Sequence, residues 1–379
     1  SVTQFFSIIW LTEFLKLVSN SLELFMPKCS FLSFRFGPTD GVSVVAQNWA
    51  EVLAGLGFEV SWVAGSFEPG WKSPGETTIV EGLGIGDEQA PNMSELHNAL
   101  NGQDLVIVEN LLSIPLNLAA SHAVAEVLRG RPTIIHHHDP PWQREQYSHI
   151  EDLPVDDLAW KHVTINELTR REMSARGIDA VTIYNGFNVN VELGNRELTR
   201  KRLCIPEETL LVAHPVRAIE RKGIDKAIGV TEKLGGTYWI SGPAEDNYGP
   251  QLVTELSSAK CPVIHLSLEN RADIYAAADL IAFPSTWEGF GNPPIEAAIY
   301  HRPVFVGNYP VADELRGLGF HWFAVEDTDA MRERLNDAEG LNTLLKHNFN
   351  VASRELSSKK MAQRLSNLII EAGWIHVSS

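Results

Sequence analysis

Cysteine is scarce. Cys29, Cys204 and Cys261 are the three in 379 residues, far apart and odd in number. No disulfide framework and no metal-ligand spacing can be read from them, which fits reduced thiols in a cytoplasm. Positive charge is also in deficit: 31 Lys and Arg stand against 48 Asp and Glu, for a net charge of −17. That balance argues against duplex nucleic acid or an anionic membrane as the main partner, since both reward clustered cations. A dinucleotide fingerprint of the form G-x-G-x-x-G is missing as well, which sets aside a nicotinamide-dependent oxidoreductase. The first 25 residues are rich in apolar side chains, but Glu13, Lys16 and Glu23 interrupt them. They form neither an unbroken membrane-length run nor a secretory signal. We expect residues 1–25 to be a leader outside the fold, translated ahead of a start at Met26; a peripheral amphipathic helix is the rival reading.

What is present from Met26 onward is alternation. Short apolar runs such as "KCSFLSF", "FEVSWVAG", "DLVIVEN", "PTIIHHH", "HVTIN" and "AVTIYNG" are separated by helical patterns. A polar, turn-rich passage follows, and then the alternation restarts with "TLLVAHP", "TYWISG", "CPVIHLS", "LIAFPS", "PVFVGN" and "HWFAVED". Strands alternating with helices predict parallel sheets with crossover helices. The expectation is an α/β protein with two doubly wound, Rossmann-like domains, residues 26–200 and 201–345, followed by a C-terminal helical segment, 346–379. In such sheets ligands bind beyond the carboxyl ends of strands, so polar residues just after strands are the functional candidates.

Three clusters stand there. In "STWEGFGNPPIEAA", Glu288 and Glu296 flank Gly289, Phe290, Gly291 and Asn292. Asn292 is expected as the helix N-cap, with Pro293 at the first helical position and Glu296 in the first turn. Glycines let backbone approach a ligand, N–H groups at a helix start suit phosphate, and carboxylates suit vicinal sugar hydroxyls. Alone, the same residues also describe a capped helix with solvated acids. In "HPVRAIERKG", Arg217 and Lys222 could together hold a diphosphate and stabilise it as a leaving group; the plain alternative is a solvated basic face. In "IIHHHDPPWQR", alternation on a strand would put His136 and His138 on one face and His137 on the other. No ligand spacing supports a metal there, so His138 and Asp139 are read as hydrogen-bonding groups for a sugar or acceptor. A fourth, weaker feature is the strand-to-helix turn "FGPTDGVS", where Gly41 could let backbone approach a phosphate or sugar.

Taken together these residues resemble a retaining glycosyltransferase of the GT-B fold, in the GT4 family. The E-x7-E signature corresponds to Glu288 and Glu296, and the Arg-x4-Lys pair to Arg217 and Lys222. "HHHDPPWQR" resembles the segment carrying the active-site histidine, here His138, and "YNGFNVN" resembles the entry to the second domain, with Asn188 where aspartate is usual. Thr-Asp-Gly replaces the common Gly-Gly of the first loop, with Gly41 as the expected contact. The resemblance implies two domains facing across a cleft, with the last helix crossing back to the first. It assigns Glu296 to the nucleotide ribose and Glu288 to the donor sugar. The backbone of Phe290, Gly291 and Asn292 is implied to contact sugar or phosphate, and Arg217 and Lys222 the diphosphate. It also implies transfer of a hexose from a UDP-, GDP- or ADP-sugar to a sugar or glycoconjugate acceptor, with no catalytic metal and no other cofactor. The implied setting is glycan, polysaccharide or glycoconjugate synthesis in the cytoplasm, with membrane contact at most peripheral, at the inner face. A nucleotide-sugar epimerase on the same scaffold and a catalytically silent binding homologue are the alternatives.

Overall fold

A computed structural model describes residues 26–374 apart from 39 and 246, so the expected leader lies outside the described residues. The first sheet is laid down as β1 (Lys28–Phe36), α1 (Gly41–Gly55), β2 (Glu59–Phe67), β3 (Glu76–Ile79), α2 (Met93–Ala99), β4 (Leu105–Glu109), α3 (Leu118–Leu128), β5 (Thr133–His137), β6 (Trp160–Thr164), α4 (Glu167–Ser174) and β7 (Ala180–Thr182). Its seven strands run in the order β3-β2-β1-β4-β5-β6-β7. The reversal from β1 to β4 is the switch point of a doubly wound sheet.

After α5 (Arg196–Arg202) the second sheet follows as β8 (Leu211–His214), α6 (Ile224–Leu234), β9 (Thr237–Ile240), α7 (Gly249–Ser258), β10 (Val263–His265), α8 (Arg271–Ala277), β11 (Leu280–Phe283), α9 (Asn292–Ile299), β12 (Val304–Val306), α10 (Pro310–Gly317) and β13 (Phe323–Ala324). Its six strands are ordered β10-β9-β8-β11-β12-β13, again switching at β8 to β11, and the recorded pairings are parallel. Three helices close the described chain: α11 (Thr328–Asn336), α12 (Ala338–Glu355) and α13 (Ser358–Glu371). The α/β expectation holds in both sheets. Each predicted run contains a strand, and among the described residues the strand that periodicity did not suggest is β3, a short, mostly polar run at the edge of its sheet.

By packing, the described residues 26–135, with 155–160 and 372–374, make one compact unit; residues 136–154 and 161–371 make another. In the first, an aromatic cluster joins β1 to β2: Phe31 stacks on Trp62 at 4.8 Å, and Phe36 stacks on the partly buried Trp71 at 5.4 Å. The α1 turn shows why Asp40 and Gly41 suit their places. Asp40 caps the helix by accepting from the Ser43 N–H, Ser43 Oγ accepts from the Gly37 N–H, and Gly41 opens the helix. The second unit buries an apolar core from β8, β9, β11 and β12 against α6, α8 and α9, including Val212, Ile240, Ile281, Phe283, Ile295 and Phe305.

The last helix is fastened to the segment 184–187. Phe187 N–H donates to Leu356 O at 2.9 Å and Ser358 N–H donates to Phe187 O at 2.8 Å. A Cβ on Gly186 would lie 2.8 Å from Met361 Cβ, so only glycine allows this approach. The Arg364 guanidinium sits 5.3 Å from the Tyr184 ring, and the Phe187 ring stacks on Phe290 at 6.2 Å.

Candidate functional site

The loop between β11 and α9 is built around one glycine. Gly291 takes φ 98°, and a Cβ there would lie 2.5 Å from the Tyr309 hydroxyl. Gly291, not Asn292, is the N-cap, and Asn292 is the first helical residue. The sequence expectation is therefore shifted by one position. The reason is that Gly291 alone can make the left-handed turn, while the Asn292 side chain faces Asn185 Nδ2 at 3.5 Å. Glu296 consequently falls beyond the first turn. No side chain caps this helix, and Pro293 and Pro294 carry no N–H. The unclaimed donors of the first turn thus reduce to Asn292, beside the N–H groups of the glycine loop. A small polar collar stands beside them, with the Tyr309 hydroxyl against Gly291 and Asn185 against Asn292. Ser285 Oγ, Asn185 Oδ1 and the Tyr309 hydroxyl are buried and accept or donate no hydrogen bond among the described residues. A buried polar atom without a partner costs free energy, which makes this collar a place prepared for polar ligand atoms.

Glu288 and Lys222 are brought together. Lys222 Nζ lies 2.5 Å from Glu288 Oε1, and Arg221 Nη1 lies 2.6 Å from Glu288 Oε2. Both Lys222 and Glu288 are buried. Burial works to raise the Glu288 carboxyl, but the two cations outweigh it and hold it below the usual carboxylate range. Burial draws the Lys222 amine down to about 8, against the opposing pull of Glu288. The amine also sits 5.3 Å from the Phe283 ring. Behind it His214 is fully buried, its Nδ1 2.9 Å from the Tyr238 hydroxyl. Burial, with Lys222 adding to it, pushes that imidazole down to about 3, so it is neutral near pH 7.

Arg217 does not join Glu288. It is 56% exposed and its Nη1 lies 2.6 Å from Glu245 Oε2. Its guanidinium is nonetheless close enough to depress the Lys222 amine. Glu296 is gripped from α8: Arg271 Nη2 approaches its Oε2 at 2.5 Å, and the Tyr275 hydroxyl donates to the same oxygen. Its Oε1 accepts nothing among the described residues, and stays available to a ligand hydroxyl. Arg271 and Tyr275 stand four apart on one helix face, a spacing visible in the sequence but not recognised there as functional.

His138 follows β5 directly, and its carbonyl would lie 3.3 Å from a Cβ on Gly289. The His136 and His138 rings are 4.4 Å apart, while His137 Nε2 is 2.9 Å from His162 Nδ1, as strand alternation predicted. Asp139 is paired with Arg144 at 2.5 Å. The Phe290 ring packs near Tyr184 and Phe187, leaving its backbone as the part that can meet a ligand. Gly41, in the first unit, has open space where a Cβ would stand. One further residue escaped sequence reading. Asn166 caps α4 through Oδ1, which accepts from Thr169 N–H, and donates from Nδ2 to Gly289 O at 2.6 Å. Its place at a strand end just before a helix was the available signal. Glu314 reinforces the same helix start, accepting from the Glu167 and Leu168 N–H groups at 2.7 and 3.0 Å and from the Tyr184 hydroxyl at 2.8 Å.

Residues 195–355, which hold both glutamates and the basic cluster, match the family described as glycosyl transferases group 1. Among curated proteins, the mannosylglucosylglycerate synthase of Thermotoga maritima is 24% identical over 90% of this chain and 100% of its own length. That of Petrotoga mobilis is 27% identical over 76% of this chain and 84% of its own. Among solved structures, the Anabaena protein HepE in complex with UDP-glucose superposes with a TM-score of 0.71 at 18% identity, covering 91% of this chain and 99% of that one. The fold is that of the GT-B glycosyltransferases.

Proposed function

From the membership of residues 195–355 in the glycosyl transferases group 1 family, we propose that this glycosyltransferase moves a glucosyl or mannosyl group from a nucleoside-diphosphate sugar to a hydroxyl of a sugar or glycoconjugate, with retention of anomeric configuration. The carrying observation is the grip of Lys222 and Arg221 on Glu288 within that segment, in the loop that leads to a helix start beside the unpartnered Asn185 Oδ1 and Tyr309 hydroxyl. The existence of solved and curated relatives that hold UDP-glucose or are named for mannosyl and glucosyl products supports this donor class.

In the proposed reaction Glu296 Oε1 accepts from a ribose hydroxyl and Glu288 meets the hydroxyls of the donor sugar. The diphosphate lies against the loop N–H groups, with Lys222 and Arg217 opposing the charge that grows on it; Arg217 must leave Glu245 to do so. The bond from the anomeric carbon to the phosphate oxygen breaks as the acceptor oxygen adds from the same face. The acceptor proton passes to the departing phosphate oxygen. His138 and Asp139 are proposed on the sugar or acceptor side. Charge stabilisation by preorganised cations is the main source of acceleration in this scheme.

Purified protein incubated with UDP-, GDP- and ADP-glucose and -mannose tests the reading. One nucleotide should raise the melting temperature by mass action, and its sugar conjugate should be consumed with release of the nucleoside diphosphate. Binding without release would indicate a silent homologue. Conversion to an epimeric nucleotide sugar would indicate the isomerase alternative. No shift and no turnover with any donor would remove the proposal.

A further inference from the structure

We propose that Arg221 is a positioning residue for Glu288: together with Lys222 it fixes the carboxylate plane and the charge that faces the donor sugar. This rests on the reading of Glu288 as the donor-sugar contact. Arg221 holds the approach to Glu288 at three points. Its carbonyl accepts from Thr286 N–H at 2.9 Å, its Nη1 donates to Trp287 O at 2.7 Å, and the same nitrogen lies 2.6 Å from Glu288 Oε2. Lys222 occupies the other carboxylate oxygen. A carboxylate held by one cation can turn about its last side-chain bond. Held on different oxygens by two donors, it cannot. A lysine ammonium is a point charge on a flexible stem, so the planar guanidinium, anchored to a neighbouring carbonyl, supplies the direction.

The arrangement also couples two titrations. Glu288 is faced by Lys222, Arg221 and the Tyr309 ring; Lys222 is faced by Glu288, Arg221, Arg217, the neutral His214 and the Phe283 ring. Removing the Arg221 charge leaves the Lys222 proton more tightly held and the Glu288 carboxyl less acidic. Both titrations then move toward higher pH.

The test compares the full-length wild type with Arg221→Met and Arg221→Lys. Pulsed reductive methylation of the Lys222 amine from pH 6 to 10, read by peptide mass spectrometry, follows its titration without any turnover. Half-labelling is expected near the value of about 8 in the wild type, at higher pH in Arg221→Met, and close to wild type in Arg221→Lys. With the active donor, Arg221→Met should lose on the order of 10- to 100-fold in kcat, the scale of a misplaced catalytic group. Its affinity for UDP or GDP should fall far less than its kcat, because the proposed nucleotide contacts are Glu296, Lys222 and Arg217, and Lys222 keeps its proton in the variant. The alkaline limb of its kcat/KM profile should move with the methylation midpoint, and Arg221→Lys should restore that limb while recovering only part of kcat. A methylation profile of Arg221→Met that superposes on wild type overturns the inference, as does a loss of nucleotide affinity equal to the loss of kcat. A wild type with no transferase activity would instead count against the proposed function, and the methylation comparison would still decide the charge coupling.

Discussion

Glu288 and Glu296 are the same residue type eight positions apart, yet they are held in different surroundings, on which the proposed difference in their roles rests. Glu288 has both oxygens engaged by cations in a buried setting; Glu296 has one oxygen engaged from α8 and one open. Replacing either by Gln keeps the size but exchanges an acceptor oxygen for an NH₂ donor. Glu296→Gln should therefore weaken the free nucleoside diphosphate and the full donor alike, by about 1.5–3 kcal/mol for a lost charged hydrogen bond. Glu288→Gln should leave the nucleotide almost unaffected and damage transfer. Calorimetric titration of both variants with nucleotide and with donor checks this, and equal loss of nucleotide affinity would reverse the assignment. These two acids and Lys222 were legible in the sequence because a signature spaces them. Arg221, Arg271, Tyr275 and Asn166 were not, since each acts by reaching another residue through space, and linear spacing does not record such a partner.

At the scale of elements, apolar alternation identified the strands of both sheets, because parallel strands buried on two faces read as nearly continuous hydrophobic runs. It missed β3, whose "ETTI" is largely exposed and mostly polar at the sheet edge. The start of α9 was misplaced by one residue for a related reason. Cap preference favours Asn292, but the tertiary position of the Tyr309 hydroxyl and the left-handed backbone of Gly291 override it. Gly291→Ala should accordingly destabilise the protein by about 1–3 kcal/mol from backbone strain alone, with a further loss from overlap at Tyr309. Urea unfolding of Gly291→Ala and of the double variant Gly291→Ala/Tyr309→Phe separates the two terms. Removing the hydroxyl should recover the overlap and leave the backbone cost. Full wild-type stability in Gly291→Ala would mean the loop does not need its left-handed residue.

Across the whole molecule a net charge of −17 coexists with a local concentration of cations at Arg217, Arg221 and Lys222. Fixed cations of this kind can meet diphosphate charge in the role a divalent ion fills elsewhere. Transfer is expected to persist after EDTA treatment and dialysis; complete loss, restored by Mg²⁺ or Mn²⁺ alone, would direct attention back to His136 and His138. No described helix is long and apolar enough to cross a membrane. The fastening of α13 reaches further than its position near the end of the chain suggests. Its hydrogen bonds and the Gly186–Met361 approach hold the 184–187 segment, whose Phe187 lies against Phe290 in the loop before α9. Trimming the chain before Ser358 would strip the support from beneath that loop, so a shortened protein kept for its second sheet must carry α13 with it.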